Sequence, residues 1–248
     1  MTSRVLSVRR LGLIGYDEAL VLQRDLVEQR RANNVPDLLL LLEHPPVITL
    51  GVRSEIARAN VVASGERLAD LGVTVHETGR GGDVTYHGPG QIVGYPILDL
   101  RPDRCDVHKY VRDLEEVMIR TCAAYGVKAG RIPGLSGTWV GTDKIGAIGI
   151  RISRWITSHG FAFNVGTDLD HFTLIVPCGI TDRGVTSLEK ITGRSMPIRD
   201  VEDAIVRSFA DVFNRAVDTG APGAEAQSES RKPGGSPGPR VESPESIC

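Results

Sequence analysis

Three strand patterns crowd into one short stretch of the chain: Thr138 to Val140, Lys144 to Ile152 and Ile156 to Val165. The first two are joined by Gly141-Thr142-Asp143, a tight hairpin connection. Successive hairpins pair antiparallel, whereas parallel neighbours need crossovers of about a dozen residues or more. This stretch therefore excludes a doubly wound parallel sheet. Around it, helical and strand periods alternate. Tyr16 to Arg31 sets Ala19, Leu20, Leu22, Leu26 and Val27 at helical spacing, with charge opposite. Leu38 to Leu42 and Val47 to Leu50 read as buried strands divided by His44-Pro45-Pro46, and Val73 to Thr78 and Ile92 to Leu100 as strands flanking a glycine-rich loop. A second helix runs from Val107 to Tyr125, with Asp106 as N-cap, an apolar stripe of Val111, Leu114, Val117, Met118 and Cys122, and Gly126 as its stop. A last helix near Asp200 to Val217 buries Val201, Ala204, Ile205, Phe209, Val212 and Phe213. The pattern predicts one α/β domain of the α+β kind: a mixed, largely antiparallel sheet with flanking helices.

Composition bounds the function. The 248 residues carry 29 Lys and Arg against 31 Asp and Glu, a net charge of −2, which argues against nucleic acid as partner. No apolar run approaches the roughly 20 residues of a membrane span. The start, Met1-Thr2-Ser3-Arg4, lacks the pattern of a signal peptide. Cys105, Cys122, Cys178 and Cys248 form no close pair, so neither a zinc knuckle nor a disulfide framework is predicted, and the expected setting is reducing cytoplasm. Half of the residues from Thr219 to Cys248 are Gly, Pro or Ser, and only Val241 and Ile247 among them are large and aliphatic. The expectation is a domain over 1–218 and a disordered tail over 219–248.

Four segments concentrate the chemistry. Gly79-Arg80-Gly81-Gly82-Asp83-Val84-Thr85-Tyr86-His87-Gly88-Pro89-Gly90-Gln91 combines close backbone approach with directed donors, either as a ligand loop or as a long surface turn. It lacks the Lys-Ser/Thr ending of a phosphate-binding loop. Lys144-Ile145-Gly146-Ala147-Ile148-Gly149-Ile150 sets one cation at the start of an apolar strand, where a solvated lysine is the plainer reading. Its glycines call for a close neighbour, which either a bound acyl chain or an adjacent strand would supply. His159-Gly160-Phe161-Ala162-Phe163-Asn164 alternates polar and apolar, and His159 alone reads as a hydrogen-bonded structural histidine. Val176-Pro177-Cys178-Gly179 presents a cysteine in a turn, with the Gly179 N–H open as an oxyanion donor; a buried structural thiol is the alternative. Cys122 lies on a helix's apolar face and Cys105 in a polar loop.

In this order and spacing, the Arg80-to-Gln91 loop, Lys144-Ile145-Gly146, His159-Gly160 to Asn164, Pro177-Cys178-Gly179 and Thr186-Ser187-Leu188 resemble the lipoate-biosynthesis octanoyltransferases, the LipB family. The resemblance implies the fold of biotin and lipoate protein ligases. It further implies transfer of octanoyl from acyl carrier protein to a lysine of apo lipoyl domains, those of 2-oxoacid dehydrogenase E2 subunits and glycine cleavage H protein. By the same match Cys178 is the acyl-thioester nucleophile and Lys144 its partner. Substrate-binding roles carry over to Arg80, Gly81, Gly82, Asp83, Val84, Thr85, Tyr86 and His87, to Ala147, Ile148 and Gly149, and to Gly160, Phe161 and Ala162.

The chemistry suits these residue types. A free thiol titrates near about 8.5, and a neighbouring ammonium favours its thiolate. Small residues leave room for a straight acyl chain, each buried methylene contributing about 0.8 kcal/mol. A thioester donor arrives activated, so no metal, nucleotide or other cofactor is expected, and no membrane is involved. Two other readings fit parts of the pattern: an ATP-dependent lipoate–protein ligase, and a non-catalytic module that binds carrier or lipoyl domains. Neither needs the Pro-Cys-Gly cysteine. Arg9, Arg10, Arg151 and Arg154 are available to dock an acidic carrier, although ordinary solvated arginines explain them equally.

Overall fold

The computed structural model describes residues 4–52, 54–176 and 183–218, without the side chain of Ser54. Cys178 with its Pro177 and Gly179 neighbours, and the segment from Thr219 onward, lie outside the described residues. The strands are β1 (Arg4–Leu13), β2 (Asp37–Glu43), β3 (Val47–Leu50), β4 (Thr74–Glu77), β5 (Val84–His87), β6 (Gln91–Ile97), β7 (Gly130–Ile132), β8 (Leu135–Val140), β9 (Asp143–Ser153), β10 (Ile156–Asn164) and β11 (Arg215–Val217). The helices are α1 (Tyr16–Arg31), α2 (Ser54–Ala59), α3 (Gly65–Asp70), α4 (Val107–Ala124), α5 (Leu188–Thr192) and α6 (Ile198–Phe213), with a 3₁₀ turn over Leu169–Leu174.

Eight strands form one sheet in the order β11-β1-β2-β6-β10-β9-β8-β7. Only the β1 pairings with β2 and β11 are parallel; every pairing from β2 through β6, β10, β9, β8 and β7 is antiparallel. This is the predicted mixed, largely antiparallel sheet. The run Leu38 to Leu42 is continuous because β2 is covered on both faces. Leu39 and Leu41 enter one core with Leu114, Val117 and Met118 of α4 and Ile205 and Phe209 of α6. Leu38, Leu40 and Leu42 enter a second core with Ala19 and Leu26 of α1. The α4 boundaries follow their signals: Asp106 accepts a hydrogen bond from Lys109 N at 3.0 Å, and Gly126 ends the helix at φ +74°.

Three expectations are corrected. A second sheet, β4-β3-β5, stands apart from the first, around Ile48, Leu50, Val84 and Tyr86. Its strand β5 lies inside the segment read as a glycine-rich loop, because Val84, Thr85 and Tyr86 are strand formers that pair with β3. The last helix stops at Phe213, short of Val217: Asn214 turns left-handed at φ +50°, and the chain then pairs with β1 as β11. Arg215 of β11 and Arg30 of α1 both bond the buried carboxylate of Asp37, at 2.9 and 2.8 Å, which ties the sheet edge to α1.

Candidate active site

A cavity of about 500 Å³ opens between the large sheet and β5, a volume typical of small-ligand pockets. Its floor is the cavity-facing side of β6, β10 and β9. Val93, Ala162 and Ala147 stand directly opposite one another across those strands and form a row of small apolar side chains.

Lys144 reaches this cavity through a β-bulge. On β9, Gly146 and Ile148 face α4: a Cβ on Gly146 would lie 2.4 Å from Met118 Sδ, and Ile148 packs on the α4 core. Strict alternation would send Lys144 the same way. Thr138 of β8 opposes Gly146, however, while Trp139 opposes Lys144, so Ile145 is an extra residue. Ile145 joins the α4 core and Lys144 turns to the other face, beside Trp139. The ammonium lies 4.7 Å from the Trp139 ring centroid, and the Arg183 guanidinium carbon 5.8 Å from it. The Lys144 backbone is clamped to a neighbouring segment, its N–H donating to Gly184 O and its carbonyl accepting from Thr186 N, both at 3.0 Å.

Five residues further along β9, about 17 Å away at the usual strand rise, the cavity is walled by Arg80. A Cβ on Gly149 would come within 2.9 Å of Arg80 Cδ. Arg80 Nη2 donates to Thr49 O at 2.6 Å and its Nε to Thr49 Oγ1 at 3.2 Å, while Gly81 N bonds Ile150 O at 2.9 Å. The guanidinium is thus fixed onto β3 and its loop onto β9. Asp83 accepts from Asn60 Nδ2 at 2.6 Å.

A polar cluster completes the walls. Gln91 donates to Asn164 Oδ1 at 2.9 Å and to Tyr86 O at 3.2 Å, so its own Oε1 receives the His87 Nδ1–H at 2.7 Å. That fixes the His87 tautomer with Nε2 as acceptor. His44 donates from Nδ1 to Ile14 O at 2.8 Å, and its Nε2 accepts from the Tyr95 hydroxyl at 2.8 Å. Burial pushes the His87 ring down to about 3, with His44, Arg80 and His159 adding repulsion. Burial likewise brings His44 to about 4, and His159 to about 4 with help from Arg80 and Arg151. All three rings are neutral at physiological pH. Burial raises Tyr16 to about 12 and lifts Tyr95 well above its ordinary value, so both remain hydroxyl donors.

The structure gathers most of the residues singled out in the sequence. Lys144, Arg80, Gly82, Asp83, Val84, Thr85, His87, Ala147, Ile148, Gly149, Gly160, Phe161 and Ala162 all line the cavity. Gly81 and Tyr86 do not: Gly81 pins the loop to β9, and Tyr86 is buried in the small-sheet core, stacked on His171 at 5.0 Å. Gly160 and Phe161 also have packing roles, since a Cβ on Gly160 would meet Gly94 O at 2.2 Å and Phe161 faces the α4 core. The glycine question in β9 is answered by protein atoms, with Met118 over Gly146 and Arg80 over Gly149. Trp139, Arg183, Tyr95 and His44 belong to the surroundings of the site without having been signalled by any local motif. Among the described residues no cluster of His, Cys, Asp and Glu could hold a metal ion, and no helix is long and apolar enough to cross a membrane.

Residues 15–210 match the family described as lipoyl protein ligase A/B catalytic domain. An octanoyltransferase of Myxococcus xanthus is 52% identical over 215 residues, covering 84% of this chain; the chain spans only 60% of that relative. An octanoyltransferase of Acidobacterium capsulatum is 54% identical over 228 residues, covering 86% of this chain and 92% of its own. Among solved structures, protein Ta0514 of T. acidophilum with bound lipoic acid superposes with a TM-score of 0.69 at 18% identity, covering 88% of each chain. A lipoate-protein ligase A bound with ATP gives 0.68 at 18% identity, covering 89% of this chain and 90% of its own. At that identity the two structures speak for the fold. The chain therefore belongs to the lipoyl protein ligase A/B catalytic-domain family, where its near relatives are octanoyltransferases.

Proposed function

We propose that this protein is an acyltransferase that moves octanoyl from octanoyl-acyl carrier protein to a specific lysine of apo lipoyl domains, through a thioester on Cys178 assisted by Lys144. The acceptors in this reading are lipoyl domains of 2-oxoacid dehydrogenase E2 subunits and glycine cleavage H protein, and residues 1–218 form the catalytic domain. The observation that carries it is the cavity: a lysine turned inward at one position of β9, a row of small apolar side chains beside it, and a fixed wall at Gly149 and Arg80. Val176 and Arg183, on either side of the segment that includes Cys178, both line the same cavity.

In this reading the Cys178 thiolate attacks the thioester carbonyl. A C–S bond to the enzyme forms, the bond to the carrier sulfur breaks, and the departing thiolate takes a proton from the Lys144 ammonium. The acceptor lysine then attacks the acyl-enzyme as an amine. A C–N bond replaces the C–S bond, the surplus amine proton returns to Lys144, and Cys178 leaves as thiolate. Conversion of thioester to amide draws the sequence forward. Asp83, Thr85 and His87 contribute fixed polar groups to the substrate cavity, Arg80 closes it at the end away from Lys144, and Val93, Ala147 and Ala162 supply the surface for the acyl chain.

Intact-protein and peptide mass spectrometry after incubation with octanoyl-carrier protein tests this. The expected result is one octanoyl adduct, on Cys178, discharged by apo lipoyl domain without ATP. An adduct at another residue, or acceptor modification that strictly requires ATP, would overturn the reading, the latter in favour of an adenylating ligase.

A further inference from the structure

Lys144 is held by more than the bulge that turns it inward. Gly137, at φ +108°, leaves its stem uncovered on one side: a Cβ there would stand 3.5 Å from Lys144 Cε and 2.5 Å from Gly146 O. Trp139 stands directly across the strand pair and presents its ring to the ammonium at 4.7 Å. The indole is 3% exposed, and among the described residues its buried Nε1 has no hydrogen-bond partner. The contact with the ammonium is made through the face of the indole. The face carries the negative part of the ring quadrupole and attracts a cation most where water is excluded. Arg183 shares the same ring at 5.8 Å, and two neighbouring cations repel. The ring face is a contact that works against that repulsion.

We propose that Trp139 is a positioning residue: its ring face seats the Lys144 ammonium at the cavity and maintains it there against the nearby Arg183. This rests on the reading of Lys144 as proton donor and acceptor in the transfer, but the seat itself can be observed without any turnover. In the seat, the Lys144 ε-methylene protons lie over an aromatic ring and resonate upfield of an ordinary lysine. Expected is a clear upfield shift in the intact protein, retained in Trp139→Phe and abolished in Trp139→Leu. In steady-state octanoyl transfer, Trp139→Leu should lower kcat about tenfold with little change in KM and displace the pH profile, whereas Trp139→Phe should stay within about threefold of the parent. An unshifted Lys144 methylene in the parent protein overturns the proposal directly. So does a Trp139→Phe variant as impaired as Trp139→Leu, since that outcome assigns the ring a packing role. If Trp139→Leu does not fold, the parent spectrum and Trp139→Phe still decide. A shifted methylene combined with a Lys144→Ala variant of undiminished kcat would leave the seat standing and remove Lys144 from the reaction.

Discussion

Gly160 and Gly94 bring β10 and β6 so close that one methyl group has no room: a Cβ on Gly160 would meet Gly94 O at 2.2 Å and Pro96 Cδ at 2.5 Å. The obstacle is backbone, which cannot rotate away as a side-chain tip can. Gly160→Ala should therefore cost about 2–3 kcal/mol, the range of overpacked cores, read as a fall in the urea midpoint at unchanged m-value. Gly65→Ala is the matched control. Nothing lies within 4 Å of its added carbon, it begins α3, and a helical Gly-to-Ala change is neutral to favourable. A Gly160→Ala midpoint equal to the parent's would show that the two strands can part without penalty. The same steric logic separates two meanings of a strand glycine. Gly146 and Gly149 make room for Met118 and Arg80, whereas Ala147 and Ala162 have side chains and still leave the cavity open.

At the scale of elements, the proposed reaction makes that row the surface that would measure the acyl chain. Val93 on β6, Ala162 on β10 and Ala147 on β9 are cross-strand partners, so a larger side chain at either alanine intrudes on the floor between Lys144 and the Arg80 wall. Ala162→Val and Ala147→Val should each lower the rate with an eight-carbon donor about tenfold, in line with the loss of roughly two buried methylenes at about 0.8 kcal/mol each. A six-carbon donor should be nearly unaffected. Competition between the two acyl-carrier donors measures the ratio, and an unchanged ratio in both variants would mean that the chain lies elsewhere. The elements that frame this row were legible in the sequence to different degrees. Helices α1 and α4 announce themselves, because each carries an apolar stripe, and α4 adds an Asp106 cap and a Gly126 stop. Strands β8, β9 and β10 do so through their hairpins. Strand β1 does not, since Leu6 is its only buried residue and its remaining positions show no clean alternation. The β8–β9 bulge is invisible in either strand alone: it exists only in their register, and the orientation of Lys144 depends on it. Trp139 is unreadable for the same reason, five positions from Lys144 in sequence yet directly opposite it in the sheet.

The molecule as a whole joins its two sheets through a largely buried cluster of histidine and tyrosine rings. His87 belongs to β5 of the small sheet, His44 follows β2, His159 and Tyr95 lie on β10 and β6, and Tyr16 begins α1. His44 packs edge-on against Tyr16 at 5.1 Å and against His87 at 5.9 Å, so one ring connects three parts of the fold. Burial has driven His44 and His159 down to about 4 and His87 to about 3, against about 6.5 in an unfolded chain. Between pH 6.5 and 4 the unfolded state thus binds protons at these rings that the folded state refuses, and unfolding becomes easier as pH falls. Each ring adds a slope approaching roughly 1.4 kcal/mol per pH unit within that window. Above pH 6.5 neither state holds the proton, and the stability conferred by these groups is fully present. Glu202, raised by burial, works in the opposite sense and moderates the acid end. Urea unfolding from pH 8 to pH 5 should show a plateau down to about 6.5 and then a decline, well before most carboxylates protonate. His44→Gln, which keeps a polar side chain without a titrating ring, should make the decline shallower by one ring's contribution. A parent protein equally stable at pH 7 and pH 5 would mean that these rings accept protons in the folded state, and that the cluster between the two sheets is wet and open.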